Sequence, residues 1–556
     1  AAGTDTAAVA PRPTTITGLT STVATITLPV PIPAGGTATI EAEWNFEVPN
    51  ANARGLRMGR WGDTLYQVAQ WYPQLAVYDD LRGWDTDLYL GDTEFYNNYG
   101  HYDVTINVPA GWIVGATGYL RNPADVLTPT ARERLSHVLE SDSQRTIVGA
   151  DERGPGKATV AGTRLSWHFV ADTVGDFAWG TSNQYVFDAT RANIPGKGYI
   201  PYYLMYLPGH ANFHNQGATG RHALEFYSKL WFPYAWNLET QVDGPEGGME
   251  YPMFIMAAGS TDHETGHQWW PMMVGTNETW YGFMDEGFNQ YMNALSGADR
   301  AGGRGGAGGG GRGGACPSRA MNPPGGVGIL NCNGQSFGQQ SGDETYAPLM
   351  WDANYGGPRY QDQAYGRAPK MLSMLGGIVG DSAVWHAMSE YAKAWRFKHP
   401  SPWDYAFAMS RELHQDLGWF WYYWLFTTDA VDGSIASVAT VGAKTTVTVR
   451  QDGQMPSPVV LAVTFAAKGP AIRQMANSRM IDSVTALVTY PVDVWFPGSK
   501  TFKADLSFGG RKIEKITLDP YGRFPDHDLM DNVWPRAAVD SAATRNFTGR
   551  AGRGGR

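Results

Sequence analysis

Two histidines four residues apart with a glutamate between them, in HETGHQWW (residues 263–270), constrain this chain more than any other feature. On a helix, His263 and His267 lie one turn apart on one face and can present ring nitrogens to a single ion. Eighteen residues separate His267 from Glu286, room for the chain to turn at PMMVGTNETW and return on a helix, DEGFNQYMNAL, that carries a third ligand. Two histidines and one carboxylate leave a fourth position for water, the mark of a catalytic rather than a structural site, and the ligand set favours one zinc ion. Glu264 flanks that ion as a general base. A blander reading makes Thr261 and Glu264 a capping box on an ordinary helix. Gly266, inside the expected helix, costs about 1 kcal/mol relative to alanine and predicts close packing against a neighbour.

Composition narrows the partners. With 43 basic and 53 acidic residues the net charge is −10, which excludes nucleic acid or an anionic membrane as the main partner. The apolar run WFWYYWLF (419–426) is far short of the ~20 residues of a membrane span, and reads as packing. The first residues, AAGTDTAAVAPRP, carry neither a charged nor an apolar leader segment, so a signal peptide is expected to be absent from this sequence. Cys316 and Cys332 flank a stretch rich in proline and glycine and are expected to form a disulfide, with two free thiols as the alternative. That pair, with a glycine- and aromatic-rich composition, predicts a secreted or periplasmic location. The sequons at Asn277 and Asn546 are given no role.

Patterning predicts a multidomain α+β chain of 556 residues. Alternation from Val23 to Trp44 and on to Val170, as in Tyr102, Val104, Ile106 and Val108, predicts an N-terminal β domain over 1–190. Near Arg191 the pattern changes: Ala223, Phe226, Tyr227, Leu230 and Trp231 recur at helical spacing, opening a mixed, then helical, domain over 191–430. Ser401 reads as an N-cap with Pro402 in the first turn. Alternation returns in TTVTVRQDG, VVLAVTF and SVTALVTYPVDVWF, a C-terminal β-sandwich over 431–535, before a flexible tail over 536–556. The tract AGGRGGAGGGGRGGA (301–315) is a flexible insert.

GGMEYP (247–252), joined to HETGHQWW and FMDEGFNQY, is where the chain resembles a family. It is similar to the zinc aminopeptidases of the alanyl-aminopeptidase (aminopeptidase N) and leukotriene hydrolase family, gluzincins that pair a GxMEN-type strand with HExxH and a later glutamate. The resemblance implies an N-terminal β-saddle, here lacking its first strands, then a thermolysin-like α/β and helical catalytic domain, then a β-sandwich. It makes Gly247, Gly248, Met249 and Glu250 the substrate-binding strand, Glu250 taking the α-amino group through a charge-assisted hydrogen bond. A glutamate on an edge strand facing solvent is the alternative. Tyr251 stands where the family most often has asparagine. The family's oxyanion-stabilising tyrosine matches Tyr365 in AYGRAPKML, with Tyr360 and Tyr355 as competitors. The loop WYPQLAVYDD (71–80) matches an aromatic loop near the substrate amine, where Gln67 or Gln70 would assist Glu250.

The expected activity is hydrolysis of the N-terminal peptide bond of peptides with a free amine, Glu264 acting on metal-bound water and Tyr365 on the oxyanion. An endopeptidase or dipeptidyl enzyme, or a zinc-binding surface scaffold without turnover, are the alternatives. A saddle without its first strands leaves sheet edges that another chain or self-association would cover.

Overall fold

A computed structural model describes residues 15–51, 57–91, 93–300, 347–355, 360–469 and 475–536. The glycine tract, the tail, Asn546 and the expected disulfide between Cys316 and Cys332 fall outside the described residues. The chain divides into two compact units, one of residues 1–285, 352–357 and 395–401, the other of 286–351, 358–394 and 402–556.

The centre of the first unit is one mixed sheet of Arg145–Val148 (β1), Val186–Ile194 (β2), Gly198–Tyr206 (β3), Glu239–Val242 (β4), Gly248–Tyr251 (β5) and Phe254–Ala257 (β6), in the order β1-β2-β3-β4-β6-β5. Strands β3, β4 and β6 are mutually parallel, and the outer pairings are antiparallel. Arg191 lies inside β2, so this sheet draws strands from both sides of the change in sequence pattern. A parallel step needs a long connection. Between β3 and β4 it contains helix Gln216–Leu230 (α1), which buries Ala223, Leu224 and Tyr227. A Cβ on Gly220 would stand 2.2 Å from the Tyr202 ring, so only glycine lets α1 settle on β3 at this distance.

Two smaller sheets hold other strands of this unit, Gly59–Trp61, Leu65–Val68, Trp179–Ser182 and Ile113–Ala116 in one, and Gly100–Pro109, Arg164–Val174 and Tyr119–Leu120 in the other. The strand expectation fails between Val23 and Trp44, where only Thr25–Ile26 pairs, with Ile16–Thr17. Ile40 and Trp44 keep 55% and 46% of their surface exposed, because alternation makes a strand only where another backbone is present to pair with it. Nor is the first third purely β. Residues Pro129–Ser136 form a helix whose N-cap, Thr128, accepts the Ala131 N–H at 3.2 Å, a start signal masked by the surrounding alternation.

In the second unit, helices Glu286–Arg300, Ala368–Val379, Pro402–Leu413 and Gly418–Phe426 precede two antiparallel sheets. Pro402 opens its helix directly after a buried Ser401. In the apolar run, Phe420, Trp421, Trp424 and Leu425 are buried, as packing requires. The sheets Gly433–Val441, Lys444–Gln451, Thr501–Ser507 and Ser478–Met480, Thr485–Tyr490, Val459–Phe465, Ile513–Leu518, Val533–Trp534 share one core. Val447, Val449 and Leu506 come from the first, Leu461, Val463, Val488 and Ile516 from the second. Among the described residues, no helix is long and apolar enough to cross a membrane.

Glu239 opens β4 with no exposed surface, and burial pushes its carboxyl up to about 8 against the opposing pull of the Thr265 hydroxyl. A carboxyl that holds its proton more tightly folded than unfolded stabilises the fold fully below its ordinary value of 4.5, and that contribution is lost as pH rises through about 8. The expected decline approaches about 1.4 kcal/mol per pH unit in that window. Glu239→Gln should flatten it, measured by urea unfolding at roughly pH 5 and pH 8.

Candidate active site

Short helix Thr261–Gly266 (α2) carries the histidine motif, and polar contacts seat it on the sheet. Gln241 of β4 donates from Nε2 to Thr261 Oγ1 at 3.0 Å and to Ala257 O at 2.8 Å. Two residues earlier on the same face of β4, Glu239 lies against Thr265, one helical turn after Thr261. The threonine face is therefore spent on the sheet, and His263, Glu264 and His267 project elsewhere. Although regular helix ends at Gly266, the His267 N–H still reaches His263 O at 3.2 Å, so the two histidines remain one turn apart. Gly266 is the last residue of the helix and is buried. The capping box is not formed. Ser260 is the N-cap, its carbonyl accepts from His263 and Glu264 N–H at 2.8 and 3.0 Å, and its hydroxyl turns to Gly247 O.

His267 is fully buried, with Nδ1 2.7 Å from Asp285 Oδ1 and 2.8 Å from Trp270 O. Two acceptors at Nδ1 place the ring proton there and make Nε2 the unprotonated nitrogen, the tautomer of an imidazole oriented by a carboxylate. His267 Nε2 lies 3.0 Å from His263 Nε2. Two ring nitrogens converging this way fit the donor set of a transition metal.

Glu250, on edge strand β5, is only 2% exposed, which rules out the solvent-facing alternative. Burial pushes its carboxyl well above the ordinary range; His267, with Nδ1 3.7 Å from Glu250 Oε1, pulls the other way, and Glu94 and Asp285 push further up. Gly248 stands two residues earlier on the same face, where a Cβ would come within 3.1 Å of Glu264 Oε1. The Glu264 carboxylate therefore rests against the bare backbone of β5. Gly247 and Gly248 are exposed, Met249 is buried, and β5 has β6 as its single strand neighbour among the described residues.

Gln268 binds this strand to the motif. Its Oε1 accepts the Met253 N–H and its Nε2 donates to Tyr251 O, both at 2.9 Å, so it clamps the turn between β5 and β6. Trp269 donates from Nε1 to Phe232 O and packs on Tyr227, Phe232 and Tyr234. Gln67 is fully buried and holds the peptide of Glu246, accepting its N–H at 2.8 Å and donating to its carbonyl at 3.4 Å. Gln70 donates to Glu94 O at 3.1 Å. Both glutamines act on backbone near Glu250 and not as exposed side chains.

Residues the sequence reading passed over complete this region. The carboxylates of Glu94, Glu278 and Asp285 lie within 4.8 Å of one another, as do ligand atoms of Glu250, His267 and Asp285. Arg57 Nη2 is 2.6 Å from Glu94 Oε1. Burial, reinforced by Asp285 and Glu94, holds the Glu278 carboxyl well above the ordinary range. The one sequence signal for any of these was Asp285, an acid placed directly before a candidate ligand.

In the second unit, Glu286 is the first residue of the fifteen-residue helix Glu286–Arg300 and is 3% exposed. Tyr365 is half-buried on the wide π-helical turn Gln361–Arg367, and its hydroxyl donates to Glu286 Oε1. Of its competitors, Tyr360 is buried edge-on against Tyr365 at 6.1 Å, and Tyr355, in the first unit, is 75% exposed.

No protein-family model matches the sequence, and no curated protein does. Among solved structures the chain is similar to Legionella pneumophila aminopeptidase A in complex with aspartic acid, with a TM-score of 0.55 and 11% identity over 86% of this chain and 49% of that one. A two-domain M1 zinc metallopeptidase bound to L-arginine gives a TM-score of 0.41 and 14% identity over 59% of this chain and 64% of that one. The likeness to the aminopeptidase is at low identity, and the chain spans about half of that protein's length. What is shared is the fold.

Gln268→Ala would leave the buried Met253 N–H and Tyr251 carbonyl without partners, at about 1–3 kcal/mol each. A loss of about 2–6 kcal/mol in unfolding free energy is expected, read by denaturant titration.

Proposed function

We propose that this chain is a zinc aminopeptidase in which His263, His267 and Glu286 hold one zinc ion. What supports the ligand set is the convergence of the two Nε2 atoms, the Asp285 carboxylate that orients His267, and the peptide bond that makes Glu286 the next residue after Asp285. When bound, zinc supplies a Lewis acid for the scissile carbonyl and lowers the pKa of a water. Glu264 takes the proton from that water and delivers it to the departing amine. Tyr365 donates its hydroxyl to the developing oxyanion, exchanging its contact with Glu286 for one that strengthens in the transition state.

The observation that carries the exopeptidase reading is the buried carboxylate of Glu250 on the same strand face as Gly248, beside Glu264. A carboxylate placed there by the fold invites an ammonium, and anchoring it fixes the first peptide bond at the metal. Exposed Gly247 and Gly248, on a strand edge unpaired among the described residues, offer backbone to an extended peptide, with Met249 fixing the strand in the core. An endopeptidase has no use for this acid, and a scaffold has none for Glu264. A secreted or periplasmic location and self-association rest on the sequence alone and are proposals of the same kind.

Peptides with free amino termini should be cleaved and their N-acetylated forms should not, and a chelator should abolish both turnover and bound zinc. Equal rates on the two peptides would overturn the exopeptidase reading. Glu264→Gln is expected to retain zinc by metal analysis while kcat falls by about 10²–10⁴. Asp285→Asn should weaken zinc binding by about 10–100-fold in a competition titration, since it removes the carboxylate charge that faces His267 Nδ1–H.

A further inference from the structure

We propose that Glu278 is a positioning residue for the amine-reading end of this site, locking the Glu94–Phe95 backbone against the strand that carries Glu250. Glu278 has no exposed surface. Its Oε2 accepts two successive backbone N–H groups, those of Glu94 at 3.2 Å and Phe95 at 3.0 Å. Its own N–H donates to Phe95 O at 3.3 Å, so the contact runs in both directions. The far side of the Glu94 peptide is held as well, its carbonyl accepting from Gln70 Nε2 at 3.1 Å.

The chain around Glu278 is itself fixed. Glu278 begins the single-turn helix Glu278–Tyr281 (α3), capped by Asn277 Oδ1, which accepts the Trp280 N–H. Trp280 is pinned by its Nε1–H to Asp87 Oδ2 at 2.7 Å and by the Arg82 guanidinium 3.5 Å above its ring. What Glu278 holds leads directly to Glu250. The Phe95 ring stands edge-on to Tyr251, the residue after Glu250, with centroids 5.4 Å apart. The Glu94 carboxylate pairs with Arg57 and lies within 4.8 Å of acceptor atoms of Glu278 and Asp285. Glu278 therefore sets where Glu94 and the Phe95–Tyr251 wall stand relative to Glu250.

An acceptor oxygen performs this task, and a negative charge does not. Glutamine at 278 keeps the acceptor, and alanine removes it. This inference rests on the aminopeptidase reading. The test measures kcat and KM on amino-acid 4-nitroanilides for the zinc-loaded full chain, and the inhibition constant of n-butylamine, which carries an ammonium and no scissile bond. For E278A we expect KM and the n-butylamine constant to rise about tenfold with kcat within about twofold, and for E278Q all three to stay within about threefold of wild type.

Unchanged KM and inhibition constant in E278A would overturn the proposal, as would E278Q impaired as badly as E278A, which would make charge the requirement. If E278A fails to fold, E278Q decides alone: wild-type values sustain the acceptor role and raised values overturn it. A wild-type enzyme that cleaves N-acetylated substrate as fast as free substrate sinks the aminopeptidase reading itself. One that discriminates, alongside an unaffected E278A, sinks only the role of Glu278.

Discussion

The seating of α2 on the mixed sheet is the contact on which the rest of the site depends. The HETGHQ segment is too short to hold itself in place, since an isolated helix of this length is unstable in water. Its orientation comes from Gln241 to Thr261, from Glu239 beside Thr265, and from Gln268 to the turn after Glu250. Every one of these is a buried polar contact, so rotation of the helix would orphan donors or acceptors out of reach of water. The same residues that fix the histidines also fix the strand of Glu250, which couples the histidine face of α2 to β5.

A second constraint is the density of buried acid. Glu94, Glu250, Glu278 and Asp285 lie together with the Arg57 guanidinium and the His267 imidazole beside them. Such a cluster is unfavourable unless each oxygen has a task. Asp285 orients an imidazole, Glu94 pairs with Arg57, and Glu278 receives two backbone N–H groups. Glu250 is buried on the strand whose glycines are exposed, with its Oε1 3.7 Å from His267 Nδ1.

Local spacing made the histidine pair, the glutamate between them and the glutamate at the head of a later helix legible, because each is a relation within a turn or over a short stretch of chain. The helices around Tyr227 and after Ser401 and the alternating strands of the last hundred residues were legible for the same reason. Arg57, Glu94, Gln268 and Glu278 were not, because their roles are hydrogen bonds or ion pairs to partners up to 184 residues away. Val23–Trp44 shows the converse failure: its alternation is real, yet pairing depends on a neighbour that no local pattern supplies.

Sequence alone determined the chemistry on offer: two imidazoles one turn apart, a carboxylate between them, another at the head of a later helix, and a glycine-flanked glutamate before them. Those are properties of residue type and of a repeat of 3.6 residues per turn. Only the tertiary structure decided which nitrogen of His267 carries the proton, that Glu250 is buried and not solvated, and that Glu94 is held by the side chain of Glu278. Each of these depends on what surrounds an atom, and that environment is assembled from strands and loops the chain brings together only on folding.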